Sequence, residues 1–222
     1  MRVSSANAAG AGRTASKEVR RRQLIEATID SVAKRGFSET TLATVTKGAN
    51  LSHGIVNFHF KSKDALFVET LGFLAEEHQE LWQKMLDKVG SSAPEQLLTL
   101  IDADFHPKVC NRKKLTVWFA FYGESGNRNA YREKCHEIDE LRIKETERMC
   151  QEIKDDGPYD HIDPHMIANG LEAFIDGLWL NMLLYPKTFS RDAAKKTCVA
   201  YLAATFPKHF SAAPKTECTD AR

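Results

Sequence analysis

One short helical segment, residues 52–60, carries small and polar side chains on one face. The members of this face are Ser52, His53, Gly54 and Asn57. Side chains of this kind can approach base edges closely in the major groove of DNA, and an Asn amide can form two hydrogen bonds with adenine. The chemistry that this face offers is therefore hydrogen bonding to bases, to which Thr44 of the preceding segment can add a hydroxyl.

A second helical segment, residues 41–49, precedes this face and must hold it in position. Its apolar residues recur at three- and four-residue spacing, which places them on one side of a helix: Leu42, Val45 and Ala49. Thr41 and Ser52 stand ahead of the two patterns and are predicted to cap the two helices. Asn50 tolerates a left-handed backbone and is predicted to form the turn. The two segments predict a helix-turn-helix.

The part of the chain that holds this motif is basic. Of the 31 Lys and Arg and 30 Asp and Glu residues, residues 1–66 hold 11 and 5, which leaves 20 and 25 for the remainder. Basic side chains bind DNA by displacing counterions from phosphate. We therefore expect double-stranded DNA as a partner. The predicted phosphate contacts are Arg20, Arg21, Thr41, Ser52, His59, Lys61 and Lys63.

Helical periodicity continues along the chain, and no segment alternates as a β-strand would. We expect an all-α fold of about nine helices. A disordered arm over residues 1–16, for which a transit peptide is the alternative, precedes a three-helix domain over residues 17–61. A second helical domain over residues 62–210 opens with a linker helix at 62–89, and a flexible tail over residues 211–222 follows.

The cysteine pattern, the length of the apolar runs and the motif content narrow the class of protein further. Five widely spaced cysteines without a C-x-x-C pair indicate free thiols in a reducing cytoplasm. No run is long enough to span a bilayer, and we expect no membrane association. Nucleotide-binding and nucleophile motifs are absent, so no cofactor is expected. A di-metal carboxylate enzyme is the alternative, but it needs two Glu-x-x-His motifs and the sequence offers one, at Glu133 and His136.

The basic N-terminal unit, the linker helix and the helical remainder together resemble the TetR family of bacterial repressors. The residues that carry the resemblance are Thr41, Leu42, Val45, Ala49, Leu51, Ser52, Gly54, Phe60, Lys61, Ser62, Lys63 and Leu66. Three positions depart from the family pattern: Asn50 replaces a Gly, Thr46 replaces an Ala, and residues 58–60 read Phe-His-Phe instead of His-Tyr-Phe. The resemblance implies a repressor rather than an enzyme, with residues 62–210 binding a ligand and forming a dimer.

Three blocks, residues 20–25, 117–124 and 174–180, are similar to the choline-responsive repressors of glycine betaine synthesis genes within this family. This similarity implies that choline or a related quaternary ammonium compound releases the protein from its operator. A TetR-type repressor for a different small ligand, such as a drug or an acyl compound, is the alternative.

Aromatic residues at helical spacing could hold such a cation, because a quaternary ammonium has no N–H to donate and is attracted to ring faces. The predicted rings are Trp118, Phe121 and Tyr122, with Phe174 and Trp179 on a later helix. Asp104 and Asp176 lie in phase with apolar neighbours and could supply a carboxylate, although a buried one would need a cationic partner. Ordinary core packing is the alternative for these rings.

The last two predicted helices, residues 164–185 and 191–206, have broad apolar faces. Gly170 and Gly177 permit close approach of another helix. In the TetR family such a pair forms the dimer interface, whereas packing within one chain is the alternative. A two-fold homodimer would place two recognition helices about one DNA turn apart, or a multiple of one turn, and would imply a palindromic operator.

Overall fold

The computed structural model describes residues 6–123 and 128–211, and its described side chains begin at residue 17, without positions 53, 128 and 131. All regular secondary structure in these residues is helical, which confirms the predicted all-α fold. The helices are α1 (Ala6–Arg35), α2 (Leu42–Ala49), α3 (His53–His59), α4 (Lys63–Leu86), α5 (Ala93–Asp104), α6 (Arg112–Gly123), α7 (Arg128–Asp155), α8 (Pro164–Leu184) and α9 (Arg191–Thr205). No helix of this part of the chain is long and apolar enough to cross a membrane.

Helix α1 begins at Ala6, well before the predicted start at Lys17. The sequence predicts a disordered arm over residues 1–16, whereas the structure is helical from Ala6 onward. Residues 1–5 lie outside the described residues. Alanine explains the difference, since it has the highest helix propensity and each added residue extends an existing helix by one hydrogen bond. Most of the tail predicted for residues 211–222 also lies outside the described residues.

The helix-turn-helix follows the predicted signals with one exception. The Thr41 hydroxyl accepts a hydrogen bond from the Thr44 backbone N–H, as an N-cap should. Asn50 ends α2 in the left-handed region at φ 54° and ψ 45°, which confirms its role in the turn. Ser52 stands at the N-cap position of α3, but its side chain makes no capping hydrogen bond, so that part of the prediction is wrong.

The chain divides into two compact units, and the first comprises residues 1–74 and 116–134. This unit is larger than the predicted domain over residues 17–61, because aromatic side chains from α4 and α6 complete its core. Gly36 ends α1 at φ 85°, and the ring centroid of the following Phe37 lies 4.6 Å from that of Phe67 and 5.2 Å from that of Phe121. Residues distant in sequence thus close one core.

The second unit comprises residues 75–115 and 135–222. Its described core is built from fully buried apolar side chains of α5, α7, α8 and α9, among them Leu97, Ile101, Met149, Leu171 and Leu202. Asp163 caps α8 by accepting hydrogen bonds from the first backbone N–H groups of the helix, and Ser190 caps α9. Helices α4, α6 and α7 contribute residues to both units.

Candidate DNA-binding surface and ligand-binding core

Helix α3 buries one side and presents the other to solvent. Val56 and the following Phe60 are buried in the first unit. The exposed side, which we call the α3 surface, consists of Ser52, Gly54, Asn57 and Phe58. A Cβ at Gly54 would meet no described atom within 4 Å, so the described part of this helix face is open. The predicted base contact His53 belongs to the same helix, but its side chain lies outside the described ones.

Several predicted DNA contacts already take part in bonds within the protein. The Thr44 hydroxyl donates to the Thr41 carbonyl at 2.8 Å and accepts from the Thr41 N–H at 2.9 Å, so it completes the cap of α2. Arg21 forms an ion pair with Glu69 of α4. The Lys63 ammonium lies 5.0 Å from the centroid of the Phe67 ring, a cation-π contact. Thr44, Arg21 and Lys63 therefore stabilise the helix-turn-helix and also lie near the predicted DNA-binding surface.

Other predicted contacts project from the unit. Lys61 and Thr41 are exposed. Arg20 is also exposed and donates to the Gln23 side chain at 2.8 Å. These side chains can reach a phosphate without breaking a tertiary contact of the described structure.

His59 sits at the end of α3 in a partly buried position. Burial, followed by the positive charge of Lys17, holds the pKa of its imidazole below the ordinary value of 6.5. Its Nδ1 is buried and makes no hydrogen bond to a described residue.

The predicted ligand-binding rings divide between the two units. Trp118, Phe121 and Tyr122 belong to the first unit, whereas Phe174 and Trp179 belong to the second. Phe121 packs into the core described above, and Trp118 is buried with its ring centroid 6.2 Å from that of the half-exposed Tyr122. In the second unit, Phe174 packs against Tyr201, with 5.8 Å between their ring centroids.

Asp104 and Trp179 come together in the second unit. Asp104 is 1% exposed, and its Oδ2 accepts a hydrogen bond from Arg142 Nη2 at 2.8 Å. Its Oδ1 lies 2.9 Å from Nε2 of His78. The indole N–H of Trp179 donates to the Asp104 carbonyl at 3.0 Å. The cationic partner that a buried carboxylate requires is therefore Arg142, supplied by α7.

Further carboxylates surround this ion pair and form what we call the polar network: His78, Asp104, Asp139, Arg142, Glu172 and Asp176. Oε1 of Glu172 is buried 3.4 Å from Arg142 Nη1 but accepts no hydrogen bond from a described residue. Burial raises the pKa of the Glu172 carboxyl, an effect that Arg142 opposes. The described members supply more potential negative charge than positive charge.

Asp176 lies at the edge of the polar network with its side chain exposed. Partial desolvation by the surrounding protein, then the negative charges of Glu172, Asp104 and Asp139, raise the pKa of its carboxyl to about 6. Asp176 therefore changes charge close to physiological pH.

Four members of this network were not predicted from the sequence: His78, Asp139, Arg142 and Glu172. One signal was available for Arg142, because it occupies the buried phase of α7 together with Cys135, Thr146 and Met149. A cation in an apolar phase indicates a buried carboxylate nearby. Phe58, which follows Asn57 and is exposed on the same helix, was also not predicted as a surface residue.

A helix-turn-helix with an open surface, joined in one chain to a second helical unit with a buried polar network, is the arrangement expected of a DNA-binding regulator with a ligand-binding domain. Comparison with known proteins agrees. Residues 24–70 match the tetR family of bacterial regulatory proteins, and residues 93–207 match the family described as BetI-type transcriptional repressor, C-terminal.

Relatives and solved structures give the same assignment. The chain is 32% identical to the HTH-type transcriptional regulator BetI of Paraburkholderia phymatum, over 84% of this chain and 92% of that protein. It is 28% identical to BetI of Stenotrophomonas maltophilia, over 83% and 91%. A transcriptional regulator from Pseudomonas aeruginosa has the same fold, with a TM-score of 0.76, 25% identity and coverage of 87% and 95%.

A regulator from Saccharomonospora viridis, solved in complex with choline, also shares the fold, with a TM-score of 0.72, 20% identity and coverage of 82% and 94%. The chain belongs to the TetR family of transcriptional regulators and has a BetI-type C-terminal domain. It is a ligand-responsive repressor, and its relatives are regulators rather than enzymes.

Replacement of Arg142 by Met should lower the free energy of unfolding by about 3–5 kcal/mol, because Asp104 would keep a buried charge without its partner. Urea denaturation measures this change. Arg148 lies on the same helix but is half-exposed, with ion pairs to Glu145 and Glu152. The control Arg148→Met should therefore cost less than about 1 kcal/mol. Equal effects of the two substitutions would contradict the structural role given to the buried pair.

Proposed function

We propose that choline or a related quaternary ammonium compound releases this repressor from a palindromic operator that controls glycine betaine synthesis genes. The observation that carries the proposal is the polar network around Trp179, where carboxylates outnumber cationic groups. The BetI relatives and the choline complex of the Saccharomonospora viridis regulator support this choice of ligand.

The chemistry of the network suits a cation that cannot donate a hydrogen bond. Such a cation is stabilised by carboxylate charge and by ring faces, each ring contributing roughly 0.5–2 kcal/mol. The Trp179 ring is held in place by its bond to the Asp104 carbonyl and lies 5.7 Å from the His78 ring, measured between centroids. Glu172 and Asp176 offer the charge that Arg142 does not neutralise. Trp118, Phe121 and Tyr122 lie in the other unit and do not enter this argument.

DNA binding rests on the α3 surface and on the cations beside it. In this proposal Asn57 faces base edges, together with Thr44, His53 and the small Gly54. Thr41, Ser52, His59, Arg20, Arg21, Lys61 and Lys63 serve the phosphates. Lys61 is the best supported phosphate contact of this set, because its side chain is exposed and it closely follows the end of α3. We propose that the protein works in the cytoplasm, where a bacterial DNA partner lies.

The exposed sides of α8 and α9 support the proposal of a homodimer. One stripe of α8 repeats at alternating four- and three-residue spacing and is exposed: Met166, Gly170, Ala173, Gly177, Leu180 and Leu184. An exposed stripe of small residues runs along α9: Ala193, Thr197, Ala200 and Ala204. Met166 and Leu184 are 69% and 58% exposed, which is costly for apolar side chains unless a partner covers them. A second copy would do so by packing its own α8 and α9 against these stripes.

Release of DNA requires that the ligand bind two conformations differently. Helix α4 is suited to couple ligand binding to DNA binding because it contributes residues to both units. Glu69 of α4 binds Arg21 of α1 within the first unit, and His78 of the same helix binds Asp104 within the second. A ligand that changes the network around His78 would act directly on α4.

Asn57→Ala should relax base preference at one operator position in each half-site, because a good two-bond contact contributes about 1–3 kcal/mol of discrimination. Lys61→Ala should instead weaken all DNA sequences alike and reduce the salt dependence of binding by about one ion per protomer. Selection from random DNA, followed by binding titrations at several salt concentrations, separates the two effects. An unchanged base preference for Asn57→Ala would reject Asn57 as a reading residue.

The protein should sediment at about twice its chain mass of 25.0 kDa. A Cβ at Gly177 would meet no atom of the described residues within 4 Å, so Gly177→Arg should fold but block the partner. We expect this variant to be a monomer and to lose at least about 100-fold in operator affinity, because two linked sites no longer bind together. Gly123→Arg is the matched control, since a Cβ there is equally free of contacts. A dimeric Gly177→Arg variant would exclude this interface.

Choline should weaken operator binding by about 5–150-fold, the usual range for coupling between two sites. Fluorescence anisotropy of labelled operator measures this effect. The control ligand is 3,3-dimethylbutan-1-ol, which keeps the shape of choline but replaces the charged nitrogen by carbon. It should release little DNA, because the carboxylates gain nothing from a neutral ligand. Equal release by both compounds would remove the cation from the proposal.

The pH dependence gives a second control for the same proposal. Asp176 ionises as the pH rises through about 6, and only the ionised carboxylate attracts a cation. Choline should therefore bind more tightly at pH 7.5 than at pH 5.5 in calorimetric titrations. Asp176→Asn should reduce this difference, and an unchanged difference would show that Asp176 does not face the ligand.

A further inference from the structure

Phe58 is an exception among the phenylalanines of this chain. Its side chain is 69% exposed, whereas the other eleven phenylalanines are buried or half-buried. Burying a Phe side chain fully would contribute about 1.5–3 kcal/mol. The fold does not gain this free energy at Phe58, although Val56 and Phe60 of the same segment are buried in the core.

The position of Phe58 explains what the ring could contact. It lies four residues after Gly54 and directly after Asn57, so it shares the open α3 surface with the proposed reading residue. The Lys17 ammonium lies 5.8 Å from the centroid of its ring, and the exposed Lys61 follows the helix. The surroundings of the ring are therefore cationic, which favours a polyanion over an apolar protein surface as the partner.

Within the major groove, the apolar feature that a base edge presents is the C5 methyl group of thymine. An aromatic ring cannot exchange hydrogen bonds with base edges, but it can cover this methyl group. We propose that Phe58 reads one thymine in each half-site of the operator by contact with its C5 methyl group. The inference rests on the proposed DNA-binding surface and adds a specificity-determining residue to it.

Uracil tests this proposal because it pairs like thymine and lacks only the methyl group. The operator is first selected from random DNA by the wild-type protein, and each thymine is then replaced singly by uracil. At one position in each half-site, uracil should weaken wild-type binding by about fourfold, the loss expected for one buried methyl group. Uracil at the other thymines serves as the control and should leave the affinity unchanged.

Variants of Phe58 complete the test. Phe58→Ala should bind thymine and uracil operators equally, at the affinity of wild type for the uracil operator. Phe58→Leu keeps an apolar side chain and should retain part of the preference for thymine. Because the ring is exposed, both variants should unfold at the temperature of the wild type, which confirms that their fold is intact.

Three results would overturn the proposal. If Phe58→Ala keeps the full preference for thymine, another residue reads the methyl group. If the wild type binds a specific operator but no uracil substitution weakens it, Phe58 reads no methyl group and the proposed repressor function still stands. If the wild type selects no sequence at all, the DNA-binding surface itself is wrong and this inference fails with it.

Discussion

The second unit depends on one interaction, the buried ion pair between Asp104 and Arg142. A charge in the protein interior is stable only beside a partner of opposite sign, so each residue constrains where the other can lie. Asp104 joins α5 to α7 through Arg142, to α4 through His78 and to α8 through the indole N–H of Trp179. Four helices thus meet at one carboxyl group and its backbone carbonyl, and their arrangement cannot change without disturbing that pair.

The pair also gives the network its ligand chemistry. Arg142 directs its Nη atoms to Asp104 and Thr146, which leaves Glu172 with a longer ionic contact and Asp176 with a raised pKa. An arginine that neutralised every carboxylate would leave nothing to attract a cation. In the proposed function, this incomplete neutralisation makes a small cation a suitable ligand, and the protein tolerates it because Asp176 is exposed.

In the first unit, weaker interactions constrain the positions of the helices in the same way. Thr41, Thr44 and Asn50 fix the ends of α2 through local hydrogen bonds and one left-handed residue. Phe37 of the loop between α1 and α2 then packs with Phe67 of α4 and Phe121 of α6 in one aromatic core. These contacts occupy the inner side of the motif and leave the outer side of α3 open, so the surface proposed to meet DNA contributes little to the stability of the unit.

The sequence by itself determined the helices, the helix-turn-helix and the basic character of the N-terminal part, because periodicity, capping residues and charge are local properties of the chain. Its family resemblance was also correct. Tertiary structure alone decided that Asp104 pairs with Arg142, 38 residues away, that Phe121 completes the core of the first unit, and that Phe58 remains exposed. Helical periodicity shows which side of a helix is apolar but not which helix will cover it. Pairings between distant residues follow from how all helices pack together, and no local pattern specifies that packing.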